Sequence, residues 1–160
     1  VEAADLSTPV LKGACTALVE NQVALLNSYG VCLFHWMLDP AGYMPQEYYG
    51  EAYAAVTGIE RTPEELMQDG ERICNLEKAI NSRIGLRREH DTVCERWMWE
   101  PNPEGPYAGK VAADMFEPVL DEYYEWRGWD RDTGLQTRAR LATHGMEDVA
   151  EVLASDGALA

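Results

Sequence analysis

Three features of this 160-residue sequence predict an all-α fold. Apolar residues recur at helical spacing through most of the chain. Thr-Pro and Thr-Pro-Glu-Glu combinations mark helix starts, and single glycines stand where the periodic runs stop. Alternating runs of β-branched residues, the mark of strands, are nearly absent. The expectation is one multi-helix domain over residues 1–154 containing a long ordered loop, with residues 155–160 as a frayed tail.

The elements follow in order. Thr8-Pro9 reads as an N-cap followed by proline at the first helical position, opening a helix to about Leu26. Gly30 ends or bends it before the apolar stretch Val31 to Leu38, and Asp39-Pro40-Ala41-Gly42 is a turn. Pro45 starts a helix from Gln46 to about Val56, stopped by Gly58. Thr62-Pro63-Glu64-Glu65 carries a cap, a proline and the glutamate of a capping box. That helix runs to roughly Ser82 with Leu66, Ile73, Leu76 and Ile80 on its expected core face, and Gly85 lies beyond its end. Residues 84–110, with Trp97 and Trp99, read as the long loop, and ordered loops of this length usually have a function. Val111 to Arg127 is helical again, its core face expected at Met115, Val119, Tyr123 and Trp126, and Gly128 closes it. Thr137 caps a short helix to His144, Gly145 breaks it, and Met146 to Leu153 is the last helix.

Composition narrows the function classes. With 28 acidic against 13 basic residues the net charge is −15, which argues against nucleic acid or an anionic membrane as the main partner. No run approaches the roughly 18 apolar residues that a spanning helix requires. No basic stretch followed by an apolar one marks a secretory signal, so a reducing cytoplasm is the expected location. The chain opens on Val1-Glu2-Ala3-Ala4-Asp5 without methionine, and is expected to be the C-terminal portion of a larger protein. The cysteines at 15, 32, 74 and 94 form no CxxC pair, and His35, His90 and His144 show no HExxH spacing. A metal site built from this chain alone is therefore not expected.

One cysteine has a distinctive setting. Cys32 follows a long apolar segment in Asn27-Ser28-Tyr29-Gly30-Val31-Cys32, and the glycine beside it permits close approach of a bulky group. Two further windows accompany it. One is Gly70-Glu71-Arg72-Ile73-Cys74-Asn75-Leu76-Glu77, continuing through Arg87-Arg88-Glu89-His90-Asp91-Thr92-Val93-Cys94-Glu95-Arg96. The other is Leu120-Asp121-Glu122-Tyr123-Tyr124-Glu125-Trp126-Arg127-Gly128-Trp129-Asp130, ending in Thr133-Gly134-Leu135-Gln136-Thr137.

In order and spacing, these windows resemble the C-terminal helical part of the aldehyde ferredoxin oxidoreductases, enzymes that carry tungsten or molybdenum on a bis-pterin. The resemblance spans about residues 15–153, and its most specific piece is Tyr-Tyr…Arg-Gly-Trp-Asp…Thr-Gly. It implies oxidation of an aldehyde substrate to a carboxylic acid, with electrons passing through a [4Fe–4S] cluster to ferredoxin. By the family pattern Asp-x-x-Gly-(Leu/Val)-Cys, Cys32 would be the remote fourth cluster ligand, and Asn27, Val31 and Leu33 would line the pterin. This chain has Asn27 where the family has aspartate, an uncharged amide that both donates and accepts. The same resemblance places the other cluster cysteines, in a CxxCxxxC arrangement, the pterin-binding sheet domain and the catalytic acid and histidine in N-terminal domains upstream of Val1. No catalytic residue is expected here.

The remaining residues have plainer readings. Glu71, Arg72 and Arg96 could pin the loop to its helix by ion pairs, Tyr123, Tyr124 and Trp126 are read as core, and Trp129 as a plug at the helix end. Asp91-Thr92 turns the loop, Cys15 and Cys74 are buried thiols, Cys94 has no assigned role, and His35 lies near enough to Cys32 to approach a cofactor. Two alternatives stand beside the leading function: the catalytic subunit of a tungsten-dependent acyl-CoA reductase, and a cofactor-free helical interaction module. Homo-oligomerisation is left open.

Overall fold

The computed structural model describes Asp5 and residues 7–34, 46–105 and 107–160. Among these residues there are seven α-helices, one 3-10 turn and no β-strand. The helices are α1 (Lys12–Tyr29), α2 (Gln46–Thr57), α3 (Pro63–Arg83), α4 (Glu95–Trp99), α5 (Ala113–Arg127), α6 (Arg138–Ala142) and α7 (Glu147–Ser155), with the 3-10 turn at Arg88–His90. The expected start at Pro45, the turn at 39–42, His35 and the end of the apolar stretch lie outside the described residues.

The all-α expectation holds, and its local punctuation is well placed. At the head of α3 the Thr62 hydroxyl accepts from the Glu65 N–H (3.2 Å), and the Glu65 carboxylate accepts from the Thr62 N–H (2.9 Å), completing the capping box. Glu64 and Glu65 in the first turn and Arg83 in the last complement the helix dipole. Thr137 likewise caps α6, its hydroxyl accepting from the Arg140 N–H at 3.2 Å.

The chain divides into two compact units: Val1–Ala17 with Ala79–Ala160, and Leu18–Lys78. Both divisions fall inside helices, in α1 and α3. The Leu18–Lys78 unit is centred on Leu25 and Leu26 of α1, Tyr49 of α2 and Leu66 of α3, with Tyr29, Val31 and Leu33 packed against them. Here α1 and α3 approach so closely at Gly70 that a Cβ would run into the Asn21 carbonyl, its carbon only 2.9 Å away. The core of the other unit joins Ala79 of α3 to Leu141, Met146, Ala150, Leu153 and Ala158.

α1 begins at Lys12, later than the Thr8-Pro9 signal predicts. Thr8 spends its hydroxyl on the Val10 N–H, and Leu11 takes a left-handed φ of 62°. The cap comes from another helix. The Glu122 carboxylate of α5 accepts from the backbone N–H groups of Leu11 (2.8 Å), Gly13 (2.7 Å) and Ala14 (3.3 Å). A negative charge at a helix N-terminus satisfies donors that the helix itself cannot.

Two expected core faces are corrected. On α3, Leu76 and Ile80 are exposed, whereas Leu66, Cys74, Asn75, Lys78, Ala79 and Ser82 are buried. On α5, Trp126 is 52% exposed and Arg127 is 1% exposed. The inversion on α5 is possible because the Arg127 guanidinium is partnered: it lies over the rings of Tyr123 (5.2 Å) and Trp129 (5.8 Å) and donates to the Ala17 carbonyl (3.2 Å). A buried cation that is both hydrogen-bonded and placed on aromatic faces escapes most of the desolvation penalty. Trp129 does plug the end of α5, meeting the Tyr123 ring edge-on at 5.7 Å.

The C-terminal tail is packed rather than frayed. Beyond Asp156 the chain turns at Gly157 (φ 64°), the Ala158 N–H bonds back to the Leu153 carbonyl (2.8 Å), and Ala158 is buried. The Ala160 N–H then reaches the Gln136 carbonyl at 3.0 Å. This is a Schellman closure, whose apolar residue after the glycine folds back onto the helix.

Candidate cofactor-binding site

The segment around Cys32 is shaped by how α1 ends. Gly30 adopts φ 70°, its N–H bonds to the Asn27 carbonyl (3.2 Å), and the Val31 N–H bonds to the Leu26 carbonyl (3.0 Å). This is again the Schellman pattern, and a side chain at Gly30 would be strained by the positive φ. The turn folds Val31 back onto Leu26 and its neighbours, and Leu33 joins the same cluster. Cys32 and Phe34, at the alternate positions, stand outward; Phe34 is 69% exposed.

Neighbouring groups hold this helix end firmly. The Ser28 hydroxyl donates to the Ala24 carbonyl at 2.9 Å, and the Tyr29 ring stacks on Tyr53 with centroids 5.0 Å apart. Burial raises the Tyr29 hydroxyl above its ordinary pKa, helped by Tyr53 and Asp69, so this phenol stays neutral. Asn27 is exposed near the end of the helix, and its side-chain amide bonds to no described residue.

The four predicted site residues are thus gathered at one helix end in two postures. Asn27 and Cys32 are presented outward, while Val31 and Leu33 are partly buried in the core. Among the described residues, Cys32 is an exposed thiol, the Asn27 amide is unengaged, and a Cβ at Gly30 would meet nothing within 4 Å. A thiol so presented has the chemistry that an iron–sulfur cluster takes as one ligand. It does not make a complete metal site. Among the described residues no group of three or more His, Cys, Asp or Glu side chains could hold a metal ion.

The other cysteines take different places. Cys74 is buried, Cys15 is only partly buried, and Cys94 is exposed just before α4. Arg96 pairs with Glu100, the residue just past the end of its helix, at 2.6 Å. What anchors the 84–110 segment to α5 is Arg88 with Glu117 and Asp121 and the Tyr124 hydroxyl donating to the Asp91 carboxylate, while the Arg88 N–H bonds to the Thr133 carbonyl (2.9 Å) in the chain beyond α5. Burial, and then the Asp91 carboxylate, raise the Tyr124 hydroxyl well above its usual pKa. Sequence reasoning placed Asp91 in a turn but had no means of pairing it with Tyr124.

The described residues thus form an all-helical scaffold that presents the end of α1 outward and contains no complete metal site of its own. Comparison with known proteins is specific. Residues 2–146 match the family described as "Aldehyde ferredoxin oxidoreductase, domains 2 & 3". The tungsten-containing aldehyde ferredoxin oxidoreductase of Pyrococcus furiosus is 34% identical over 116 residues, covering 72% of this chain and 18% of that protein. The protein of the same name from Pyrococcus abyssi is 33% identical over 132 residues, 82% of this chain and 20% of that protein. The chain belongs to the aldehyde ferredoxin oxidoreductase family, and spans about a fifth of the length of these relatives. Among solved structures, the active-site complex BamBC of benzoyl coenzyme A reductase, in complex with 1,5-dienoyl-CoA, superposes with a TM-score of 0.76. The match covers 98% of this chain and 22% of that one at 22% identity, a likeness of fold. No helix among the described residues is long and apolar enough to cross a membrane.

Proposed function

We propose that this chain is the helical C-terminal portion of a tungsten- or molybdenum-pterin oxidoreductase that converts aldehydes to carboxylic acids and delivers electrons to ferredoxin. The observation that supports the reading is Cys32: the residue that by its motif resembles the family's cluster cysteine is an outward thiol beyond the left-handed Gly30. Cluster irons take thiolate ligands, and one of the four may come from far along the chain. When bound, the pterin-held metal supplies two-electron chemistry at the carbonyl carbon, and the cluster carries the electrons away.

The residues of this chain hold and orient. Cys32 supplies one thiolate, and the Gly30 turn directs it away from the core. The Asn27 amide, able to donate and accept, would hydrogen-bond the pterin in place of the family carboxylate. Val31 and Leu33 fix the backbone beside it by packing on the cluster that contains Leu25 and Leu26, and the outward Phe34 would help exclude water from the thiolate once the rest of the enzyme packs on it. Phe34, exposed here, is the surface against which the rest of the enzyme packs.

The likeness to the benzoyl coenzyme A reductase complex supports a second reading, the catalytic subunit of a tungsten-dependent acyl-CoA reductase. The residues that would separate the two readings lie in the substrate pocket, outside this chain.

The test is the in-frame DNA upstream of the Val1 codon, followed by the encoded protein purified anaerobically. We expect a CxxCxxxC segment, iron and a pterin metal in the protein, and an EPR signal from a reduced [4Fe–4S] cluster. Cys32→Ala should abolish or alter that signal while the far-UV circular dichroism stays unchanged. An unchanged cluster signal in Cys32→Ala refutes the ligand assignment. Absence of iron and pterin leaves the cofactor-free helical module as the better reading.

A further inference from the structure

One aromatic contact, given no role in the function above, ties the end of α1 to α2. Tyr29, the last residue of α1, lies with its ring nearly parallel to that of Tyr53, at an interplanar angle of 10° and a centroid separation of 5.0 Å. Both belong to the Leu18–Lys78 unit, and both are partly buried. A parallel pair at this separation is an offset stack, which fixes orientation as well as distance.

α2 is itself seated on the core. Tyr49, one turn before Tyr53, is buried with Leu25, Leu26 and Leu66. At Gly50 the helix comes so near the chain before α3 that a Cβ would stand 2.7 Å from the Arg61 carbonyl oxygen. Residues four apart share a helix face, so Tyr49 anchors α2 while Tyr53 meets α1 from the same side.

Cys32 has few holds of its own. It stands exposed three residues beyond Tyr29, and the turn between them rests on two backbone hydrogen bonds, from the Gly30 N–H to the Asn27 carbonyl and from the Val31 N–H to the Leu26 carbonyl. Helix ends open more readily than helix middles. Val31 and Leu33 bury apolar surface on the same cluster as Tyr29, but aliphatic burial is non-directional. A ligating side chain has to be held within about 0.5 Å of its productive position by neighbours whose own rotamers are locked. Resting on the reading of Cys32 as a cluster ligand, we propose that the Tyr29–Tyr53 stack sets the direction in which the Gly30 turn presents the thiolate. Tyr53 is then a positioning residue that acts on Cys32 through Tyr29.

The test is Tyr53→Leu in the encoded full-length protein purified anaerobically, because leucine keeps apolar bulk but cannot stack. Amide hydrogen exchange over residues 27–34 should quicken by about tenfold, the size expected for losing one stacked pair and part of its burial. The EPR signal of the reduced cluster should shift in its g-values. Tyr53→Phe keeps the ring and should restore both readouts, while Tyr48→Ala, at an exposed position of the same helix, should match wild type. Tyr29→Leu removes the other ring, and the double variant should be no worse than either single, because the two changes delete one contact. Should Tyr53→Leu fail to accumulate, Tyr29→Leu carries the same readouts. Wild-type exchange or an unaltered EPR signal in Tyr53→Leu, equal effects in Tyr53→Phe, or additive losses in the double variant each overturn the proposal. A wild-type protein without a cluster instead refutes the function proposed above, and hydrogen exchange then decides the stack alone.

Discussion

The Glu122 carboxylate is expected to govern the stability of the α1 N-terminus, and Glu122→Ala isolates the effect. It removes the acceptor for the Leu11, Gly13 and Ala14 N–H groups at 2.8, 2.7 and 3.3 Å. Loss of an ordinary cap costs about 1 kcal/mol, and a charge-assisted bond to a partly buried acceptor contributes about 1.5–3 kcal/mol. Water can reach part of this site, so we expect a total loss of about 2–3 kcal/mol, the longest of the three bonds adding little. For a chain of this size that lowers Tm by about 5–10 °C. Glu122→Gln is the discriminating variant. Leu11 uses one carboxylate oxygen while Gly13 and Ala14 share the other. An amide must therefore turn its NH2 toward at least one donor, and Gln should fall between Glu and Ala. Urea unfolding followed by far-UV circular dichroism reads the energy. Amide hydrogen exchange at Leu11, Gly13 and Ala14 localises it, and protection should fall at those three positions first. A Glu122→Ala variant within about 0.5 kcal/mol of wild type, a shift typical of an ordinary surface substitution, would refute the cap.

Three further outcomes test the packing and the charge network. In Gly13→Ala, the new Cβ would stand 2.6 Å from the Val119 carbonyl and closer still to the Tyr123 backbone nitrogen. Neither is a movable side chain, so urea unfolding should show a loss of about 2–3 kcal/mol, the upper range for overpacking. Tyr124→Phe removes the hydroxyl that donates to Asp91, and should cost about 1–2 kcal/mol and speed limited proteolysis between residues 84 and 110. Burial pushes the Asp121 carboxyl up, but hydrogen bonds from Arg131 and Arg88 outweigh it and hold its pKa below the ordinary aspartate value. A lowered folded-state pKa means that the stabilisation is complete above the unfolded-state value and is lost as pH falls through the folded-state value. Asp121→Asn should therefore flatten the acid limb of the stability–pH profile below about pH 4, and a limb identical to wild type would remove Asp121 from the account.

The helix ends were legible because their chemistry is local. Thr62 and Glu65 are three residues apart and bond only to each other's backbone, so the capping box reads directly from the letters. Gly30 and Gly128 were equally visible, since only a left-handed residue closes a helix in this way. Gly157 carries the same signal before the tail, with φ 64°. Buried faces were less legible. Periodicity placed Trp126 inside and left Arg127 out, because hydropathy does not register that an arginine can be satisfied by two aromatic faces and a carbonyl from the far end of the chain.

The segment from Asn27 to Cys32 was found by spacing, as a short motif on one turn. The pairing of Tyr124 with Asp91 was not, because the two lie on separate stretches of chain and share no motif.

By itself, then, the sequence determined the all-α class, most helix boundaries, the family and the identity of the cysteine that stands beyond the Gly30 turn. Tertiary structure alone decided that Glu122 caps α1 from a distance of more than 100 residues, that Arg127 is inside, that Leu76 and Ile80 are outside, and that Cys32 points away from the core. The division has one physical cause. Caps and turns are satisfied within four or five residues of chain, whereas burial and long-range charge pairing depend on which surfaces meet, and no local pattern of residue types encodes that meeting.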